Sequence, residues 1–140
     1  MNEINLILRL IISAILGGMI GIERESAHKP AGIRTHIFVC MGSTLFTLIA
    51  ISGLRDLSTP EMFNPAQFIG SILVGVGFIG GGVIMHRNEH VEGITTAAGL
   101  WVASGIGIAV GMGLYVLAIS TVILSLMVLL GLERFKSKEA

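Results

Sequence analysis

Long apolar runs separated by short polar segments dominate the chain. A bilayer core of about 30 Å is crossed by roughly 20 helical residues, and runs of that length occupy about residues 4–22, 33–54 and 66–85. The apolar run over residues 94–132 is too long for one span. Gly111-Met112-Gly113 is its natural break, which gives spans at about 94–110 and 114–132. The pattern therefore predicts an all-α, polytopic integral membrane protein with five transmembrane helices, as a single domain over residues 1–140.

Glycine is concentrated in these apolar runs, above all in residues 70–85. Interior glycine weakens a helix in water, whereas in lipid it lets neighbouring backbones approach closely. We therefore expect glycine-rich helix packing, with the third helix at the centre. The contacts would lie within one protomer, between protomers or with a partner protein. The candidate packing residues are Gly17, Gly21, Gly75, Gly77, Gly81, Gly99 and Gly107.

Composition supports a membrane location. Hydrophobic residues make up 53% of the chain and charged residues only 13%, against about 25% charged in soluble domains. The net charge of zero offers no basic field for nucleic acid. The lone cysteine, Cys40, is predicted to be a free buried thiol. No basic residue precedes the first apolar run and no small-x-small cleavage site follows it, so this run is predicted to be retained as a span.

The distribution of lysine and arginine predicts an orientation. With five spans, the first connection, the third connection and the C-terminus share one side of the membrane. The other side holds Arg55, joined by Arg9 if that side chain snorkels from the first span to the headgroups, as we expect. The positive-inside rule then places the N-terminus outside and the C-terminus in the cytoplasm. The basic residues predicted to be cytoplasmic are Arg24, Lys29, Arg34, Arg87, Arg134, Lys136 and Lys138.

A short sequence repeat marks the predicted starts of two helices. Residues 32–35 and 93–96 both read Gly-Ile-x-Thr, and each follows a double glycine and a charged connection. Both motifs are predicted to open a helix at the cytoplasmic face, where a helix start exposes unpaired N–H groups and partial positive charge. Thr35 and Thr96 are predicted to cap these ends, with contact to a ligand as the alternative.

Polar residues around these helix starts form the candidate functional face. Its carboxylates suit Mg²⁺ by ligand type, but arginines and helix N-termini close by oppose cation binding, so a network of salt bridges is the preferred interpretation. The weak metal candidates are Glu23, Glu25 and Glu92. The predicted cytoplasmic cluster consists of Glu23, Arg24, Glu25, Arg34, Thr35, His36, Thr95 and Thr96.

Other chemistry finds little support in the sequence. His86 and His90 have metal-pair spacing only on a helix, and their surroundings predict a loop. No charge falls near the bilayer midplane, which argues against a proton-coupled carrier. A path lined by hydroxyls, from Ser43, Thr47, Ser71 and Ser104, is the alternative. No Ser-His-Asp set or intramembrane Asp pair appears, so we expect neither an enzyme nor a cofactor.

Four blocks of residues resemble the signature blocks of the MgtC/SapB family. They are residues 21–25 (Gly-Ile-Glu-Arg-Glu), 29–36 (Lys-Pro-Ala-Gly-Ile-Arg-Thr-His), 75–84 and 93–101. The resemblance implies a bacterial inner-membrane protein with five spans. It also implies a link to growth under magnesium limitation and to survival inside phagocytes, with the best-studied kind restraining the F-type ATP synthase. Many members add a soluble domain after the last span, so only the transmembrane domain is expected here. Asn64 and Gln67 stand near the positions where the family usually has an Asp and an Arg.

Two main hypotheses follow. The first is a regulator of another membrane complex under magnesium or acid stress, forming a homo-oligomer in the lipid bilayer, with the F-type ATP synthase as a candidate target. The alternative is an oligomeric transporter or channel for Mg²⁺ or another small solute. A membrane-assembly role is the third hypothesis. If the cytoplasmic cluster is functional, Glu23→Gln or Arg34→Ala should abolish activity at unchanged membrane abundance.

Overall fold

The computed structural model describes residues 2–54, 64–87 and 90–136, with side chains for residues 2–52, 64–85 and 90–131. Five helices follow one another along the described chain, with a two-stranded hairpin between the third and the fourth. They are α1 (Glu3–Ser26), α2 (Ile33–Leu48, continued by a π-helical turn over Ile49–Leu54), α3 (Pro65–Gly82), α4 (Ile94–Met112) and α5 (Tyr115–Lys136). The strands are β1 (Met85–Arg87) and β2 (His90–Glu92). The predicted connection over residues 55–63, Glu89 and the tail 137–140 lie outside the described residues.

The predicted all-α membrane fold with five helices is confirmed. Four helices are long and apolar enough to cross a membrane, and Tyr115–Gly131 is a shorter apolar helix within the described side chains. The break before α5 falls at Gly113, whose φ of 81° is left-handed. The amides of Gly113 and Leu114 donate to the carbonyls of Val110 and Ala109, at 3.0 and 2.8 Å. This pattern is the Schellman termination that glycine favours.

The prediction that α3 is the central helix is wrong. Only 11% of its span is buried, whereas 56% of the α4 span is buried. On α3, Val74 is 76% exposed and Phe78 is 86% exposed. Added Cβ atoms on Gly75, Gly77 and Gly81 would meet no described atom within 4 Å. Hydropathy could not reveal this, because residues facing lipid and residues facing other helices are equally apolar.

The close packing lies instead on both sides of α2. A Cβ on Gly17 of α1 would lie 2.7 Å from both the Cys40 Cβ and the His36 carbonyl oxygen, and one on Gly21 would lie 2.5 Å from the Ile33 Cα. From the other side, a Cβ on Gly107 of α4 would overlap the Cys40 carbonyl oxygen. Thus α1, α2 and α4 meet backbone to backbone.

Hydroxyl groups join α2 to α4 inside this packed unit. The Ser43 and Ser104 hydroxyls are 2.8 Å apart, and the Thr44 hydroxyl donates to the Gly107 carbonyl at 2.7 Å. Ser71, by contrast, is exposed on α3 and donates to its own helix at Gln67. The predicted hydroxyl-lined path is therefore not assembled within one protomer, because its members bond to each other or lie apart. Cys40 is free and fully buried, as predicted.

Arg9 is half-buried, and its guanidinium lies against the C-terminal end of α4, while its expected snorkelling to the headgroups stays a prediction. Its Nη1 donates to the Gly111 carbonyl oxygen at 2.6 Å, and its guanidinium lies 5.9 Å from the centroid of the Tyr115 ring. The carbonyls in the last turn of a helix lack intrahelical partners and carry partial negative charge. Arg9 therefore caps the C-terminus of α4 from the other end of the chain.

The third connection is a β-hairpin rather than the predicted loop. Its antiparallel register pairs His86 with Val91 and Arg87 with His90. His86 and His90 thus belong to different strands, so the helical spacing needed for a metal pair is absent. The two Gly-Ile-x-Thr motifs do open helices as predicted, with Gly32 and Gly93 as the N-cap residues of α2 and α4.

Candidate functional site

One end of the bundle gathers the end of α1, the starts of α2 and α4, and the hairpin. A groove of about 1060 Å³ opens there, which we call the polar groove. It is lined by Arg24, residues 28–30, Met85, residues 91–96, Val128 and Leu129. Segments distant in sequence therefore enclose one concave surface at the end of the apolar helices.

A buried ion pair forms the base of this end. The Nε and Nη2 of Arg24 donate to the two carboxylate oxygens of Glu23, and the two residues are 3% and 9% exposed. Bidentate pairing satisfies both charges in a place that water barely reaches. The predicted salt-bridge interpretation holds for these two neighbours, and Glu23 is committed to Arg24.

Glu25 instead caps the N-terminus of α2. Its carboxylate oxygen Oε2 accepts a hydrogen bond from the Ile33 amide at 2.9 Å. The N-cap residue itself, Gly32, has no side chain to supply such an acceptor. Thr35 and Thr96 were predicted to cap α2 and α4, but both lie in the third helical position, after glycine N-caps. The capping prediction is therefore wrong for both, since residues before the helix hold the cap position.

The end of α1 projects two basic side chains toward the groove. The amides of His28 and Lys29 donate to the carbonyls of Glu25 and Arg24, both at 3.0 Å. This is a Schellman motif in which His28, with φ 54°, occupies the left-handed position that glycine usually takes. Sequence reasoning missed His28 and Lys29 as groove residues. The signal available was Pro30, which directly follows them and disfavours a helical conformation.

His28→Gly is expected to raise the free energy of unfolding by about 1 kcal/mol, because glycine adopts the left-handed conformation without a Cβ penalty. The midpoint of thermal unfolding in detergent would measure it. Lys29→Gly, one residue along and outside the left-handed region, is the matched control and should not stabilise. Equal effects of the two changes would contradict this account.

The remaining predicted residues fall into two groups. Thr95 and Thr96 join Arg24 in lining the polar groove, and Thr96 is 2% exposed. His36 is fully buried under the helix ends, where its Nδ1 donates to the Gly32 carbonyl at 2.9 Å. Its Nε2 faces Gly99 and has no partner in the described part of the chain. Arg34 is exposed and does not line the groove.

The three weak metal candidates are not brought together. Glu23 pairs with Arg24, Glu25 caps α2, and Glu92 lines the polar groove. Among the described side chains, no group of three His, Cys, Asp or Glu residues could hold a metal ion. The carboxylates at this end therefore serve an ion pair, a helix cap and the groove wall.

These features define a polytopic helical membrane protein built on backbone-close helix packing. The chain belongs to the MgtC family, whose model matches residues 10–138. It is 42% identical over 125 residues to YhiD of Escherichia coli K12, named as a candidate magnesium transporter, covering 88% of this chain and 58% of YhiD. It is 32% identical over 136 residues to SrpB of Synechococcus elongatus, covering 91% of this chain and 75% of SrpB.

MgtC of Salmonella typhimurium is 37% identical over 95 residues, which cover 68% of this chain and 38% of MgtC. The chain thus spans less than two thirds of the length of YhiD and of MgtC. No solved structure matches the chain.

Proposed function

We propose that the protein acts in magnesium homeostasis by docking against another membrane protein through the open face of α3 and regulating it. A regulatory role was expected from the family resemblance, with the F-type ATP synthase as a candidate target. The name of YhiD supports the link to magnesium. The proposed setting is the bacterial inner membrane, with the N-terminus outside and the polar groove at the cytoplasmic face.

The observation that carries this proposal is the contrast between two sets of glycines. Inside the protomer, α1, α2 and α4 pack closely at Gly17, Gly21 and Gly107. Gly77 and Gly81, four residues apart on α3, leave a backbone surface in the apolar zone with no described atom against it, and Gly75 lines the groove between α2 and α3. Small-residue surfaces of this kind let a second helix approach closely in lipid, where van der Waals contact drives association.

A groove beside this face favours an apolar helix as the partner. It has a volume of about 490 Å³ and lies between α2 and α3, with Phe38, Phe46 and Phe68 among its lining residues. A bulky side chain from a neighbouring helix would fill it. Mg²⁺ keeps several of its waters when bound, so an aromatic wall suits a protein partner better than a hydrated ion.

The runner-up is an oligomeric transporter. The backbone contacts among α1, α2 and α4 leave no room for a hydrated cation along their shared axis. A path would therefore have to run between copies joined at α3. Mg²⁺ flux into proteoliposomes that hold only this protein would favour transport, and flux no greater than in protein-free vesicles would favour regulation.

Gly77→Leu is expected to weaken partner association about tenfold, roughly 1.4 kcal/mol, and to impair growth under magnesium limitation. Added bulk would keep the two backbones apart. Gly131→Leu on α5 is the matched control, because Gly131 also has no described atom within 4 Å of an added Cβ.

The partner itself would be captured from position 78, replaced by a photo-crosslinking residue, with position 116 on α5 as the control of similar exposure. Crosslinks from position 78 to a different membrane protein, lost in Gly77→Leu, support the proposal. Crosslinks only to a second copy favour the oligomer hypothesis. Equal behaviour of the Gly77 and Gly131 variants would refute a role for α3.

A further inference from the structure

The polar groove contains a helix start whose amides receive no side-chain cap from the described residues. In α4 the intrahelical bonds begin with the Ala97 amide, which donates to the Gly93 carbonyl at 2.8 Å. The amides of residues 94–96 therefore have no acceptor within the helix. The N-cap residue, Gly93, offers no side-chain acceptor. Aligned amides at the start of a 19-residue helix attract a negative group.

The repeated Gly-Ile-x-Thr motif allows the start of α4 to be compared with the start of α2. At the first Gly-Ile-x-Thr motif, the carboxylate of Glu25 accepts from the Ile33 amide. At the second motif, the polar groove opens in front of Ile94. An anion from outside the chain would take the place at α4 that Glu25 takes at α2.

Two almost fully buried polar side chains also line the groove. Arg24 is 3% exposed and uses Nε and Nη2 toward Glu23, so donors of its five-donor guanidinium remain for a ligand. Thr96 is 2% exposed, and its hydroxyl makes no hydrogen bond to the described residues. The unused donors of Arg24 and the Thr96 hydroxyl are therefore available to an acceptor-rich ligand in the groove.

The rim of the groove carries both signs of charge. Lys29 and His28 are exposed on one side, the latter held in its left-handed conformation. Glu92 stands on β2 and would repel an anion but pair with an ammonium group. Below the rim, Val128 and Leu129 of α5 supply an apolar wall. A phosphate with an attached acyl chain, as in a phospholipid, matches both parts of the groove.

We propose that the polar groove binds a phosphate group, as carried by phospholipid headgroups, between the N-terminus of α4, Arg24, Thr96 and Lys29. Phosphate supplies the acceptor oxygens that the helix amides and the arginine lack. The lipid chains would run along α5. This site lies apart from the α3 face, so its failure and that of the regulatory proposal are separable.

The test uses the full chain, delipidated in detergent, and measures lipid binding by native mass spectrometry. The probes are phosphatidylglycerol, phosphatidylethanolamine, diacylglycerol without phosphate, and inorganic phosphate. Both phospholipids should bind about tenfold more tightly than diacylglycerol, the size expected for one charge-assisted hydrogen bond. If the ethanolamine amine pairs with Glu92, Glu92→Gln should weaken phosphatidylethanolamine alone.

Matched variants separate this site from general headgroup attraction. Lys29→Ala and Thr96→Val should each weaken phospholipid binding about tenfold. Arg34→Ala and Thr35→Val are the controls, because they remove a positive charge and a hydroxyl at this end of the bundle outside the groove. If inorganic phosphate binds and the groove variants weaken that binding too, the phosphate site is supported and its ligand is the free ion. The proposal would be overturned if groove and control variants lost the same phospholipid affinity, or if the phospholipids bound no more tightly than diacylglycerol.

Discussion

Gly107→Ala is expected to cost about 3 kcal/mol or more of unfolding free energy, at the upper end of overpacking substitutions. The added Cβ would overlap the backbone carbonyl of Cys40, and a backbone atom cannot rotate away as a side chain can. The change would separate α4 from α2 and break the hydrogen bond from Thr44 to the Gly107 carbonyl. The midpoint of unfolding in detergent, together with the yield of monodisperse protein, would measure the loss.

Gly105→Ala is the matched control for that substitution. Gly105 lies two residues away on α4, and an added Cβ there meets no described atom within 4 Å. It should leave stability unchanged or slightly raised, because alanine is the better helix former. Gly99→Ala should be tolerated as well, since its Cβ would lie at an ordinary contact distance of 3.5 Å from His36. If Gly105→Ala and Gly107→Ala were equally damaging, backbone contact would not be what holds α4 in place.

Glu23→Gln is expected to cost about 3–5 kcal/mol, because it leaves the buried Arg24 charge without its counterion. The sequence alone predicted loss of activity at unchanged membrane abundance. The buried bidentate pair leads to the opposite expectation, with abundance and unfolding midpoint falling together. Quantitative immunoblotting of membranes and thermal unfolding in detergent would measure these two effects.

A double replacement distinguishes the ion pair from mere side-chain volume. Glu23→Leu combined with Arg24→Met removes both charges and should recover most of the stability lost in Glu23→Gln, since apolar replacement of a buried pair is often neutral. Glu25→Gln, an exposed neighbour, should cost only about 1 kcal/mol as a weakened cap. A stable Glu23→Gln protein at normal abundance would mean that Arg24 finds another partner.

The location of the candidate site was predictable from the sequence, but the roles of its residues were not. The sequence brought Arg24, Thr95 and Thr96 to one end of the bundle, through the two Gly-Ile-x-Thr motifs and the count of spans. It could not assign Glu25 to the Ile33 amide, nor see that His28 and Lys29 face the start of α4. Those roles depend on how the connections fold back, and composition does not encode that.

The sequence by itself determined the helix count, the break at Gly113 and the starts at Ile33 and Ile94. These follow from local signals: the apolar length needed to cross a bilayer, and glycine at helix ends. Only the tertiary structure decided that Gly107 packs while Gly77 stays open, and that Arg9 caps α4. Lipid and protein interior are equally apolar solvents for a side chain. The choice between them therefore depends on which helices become neighbours.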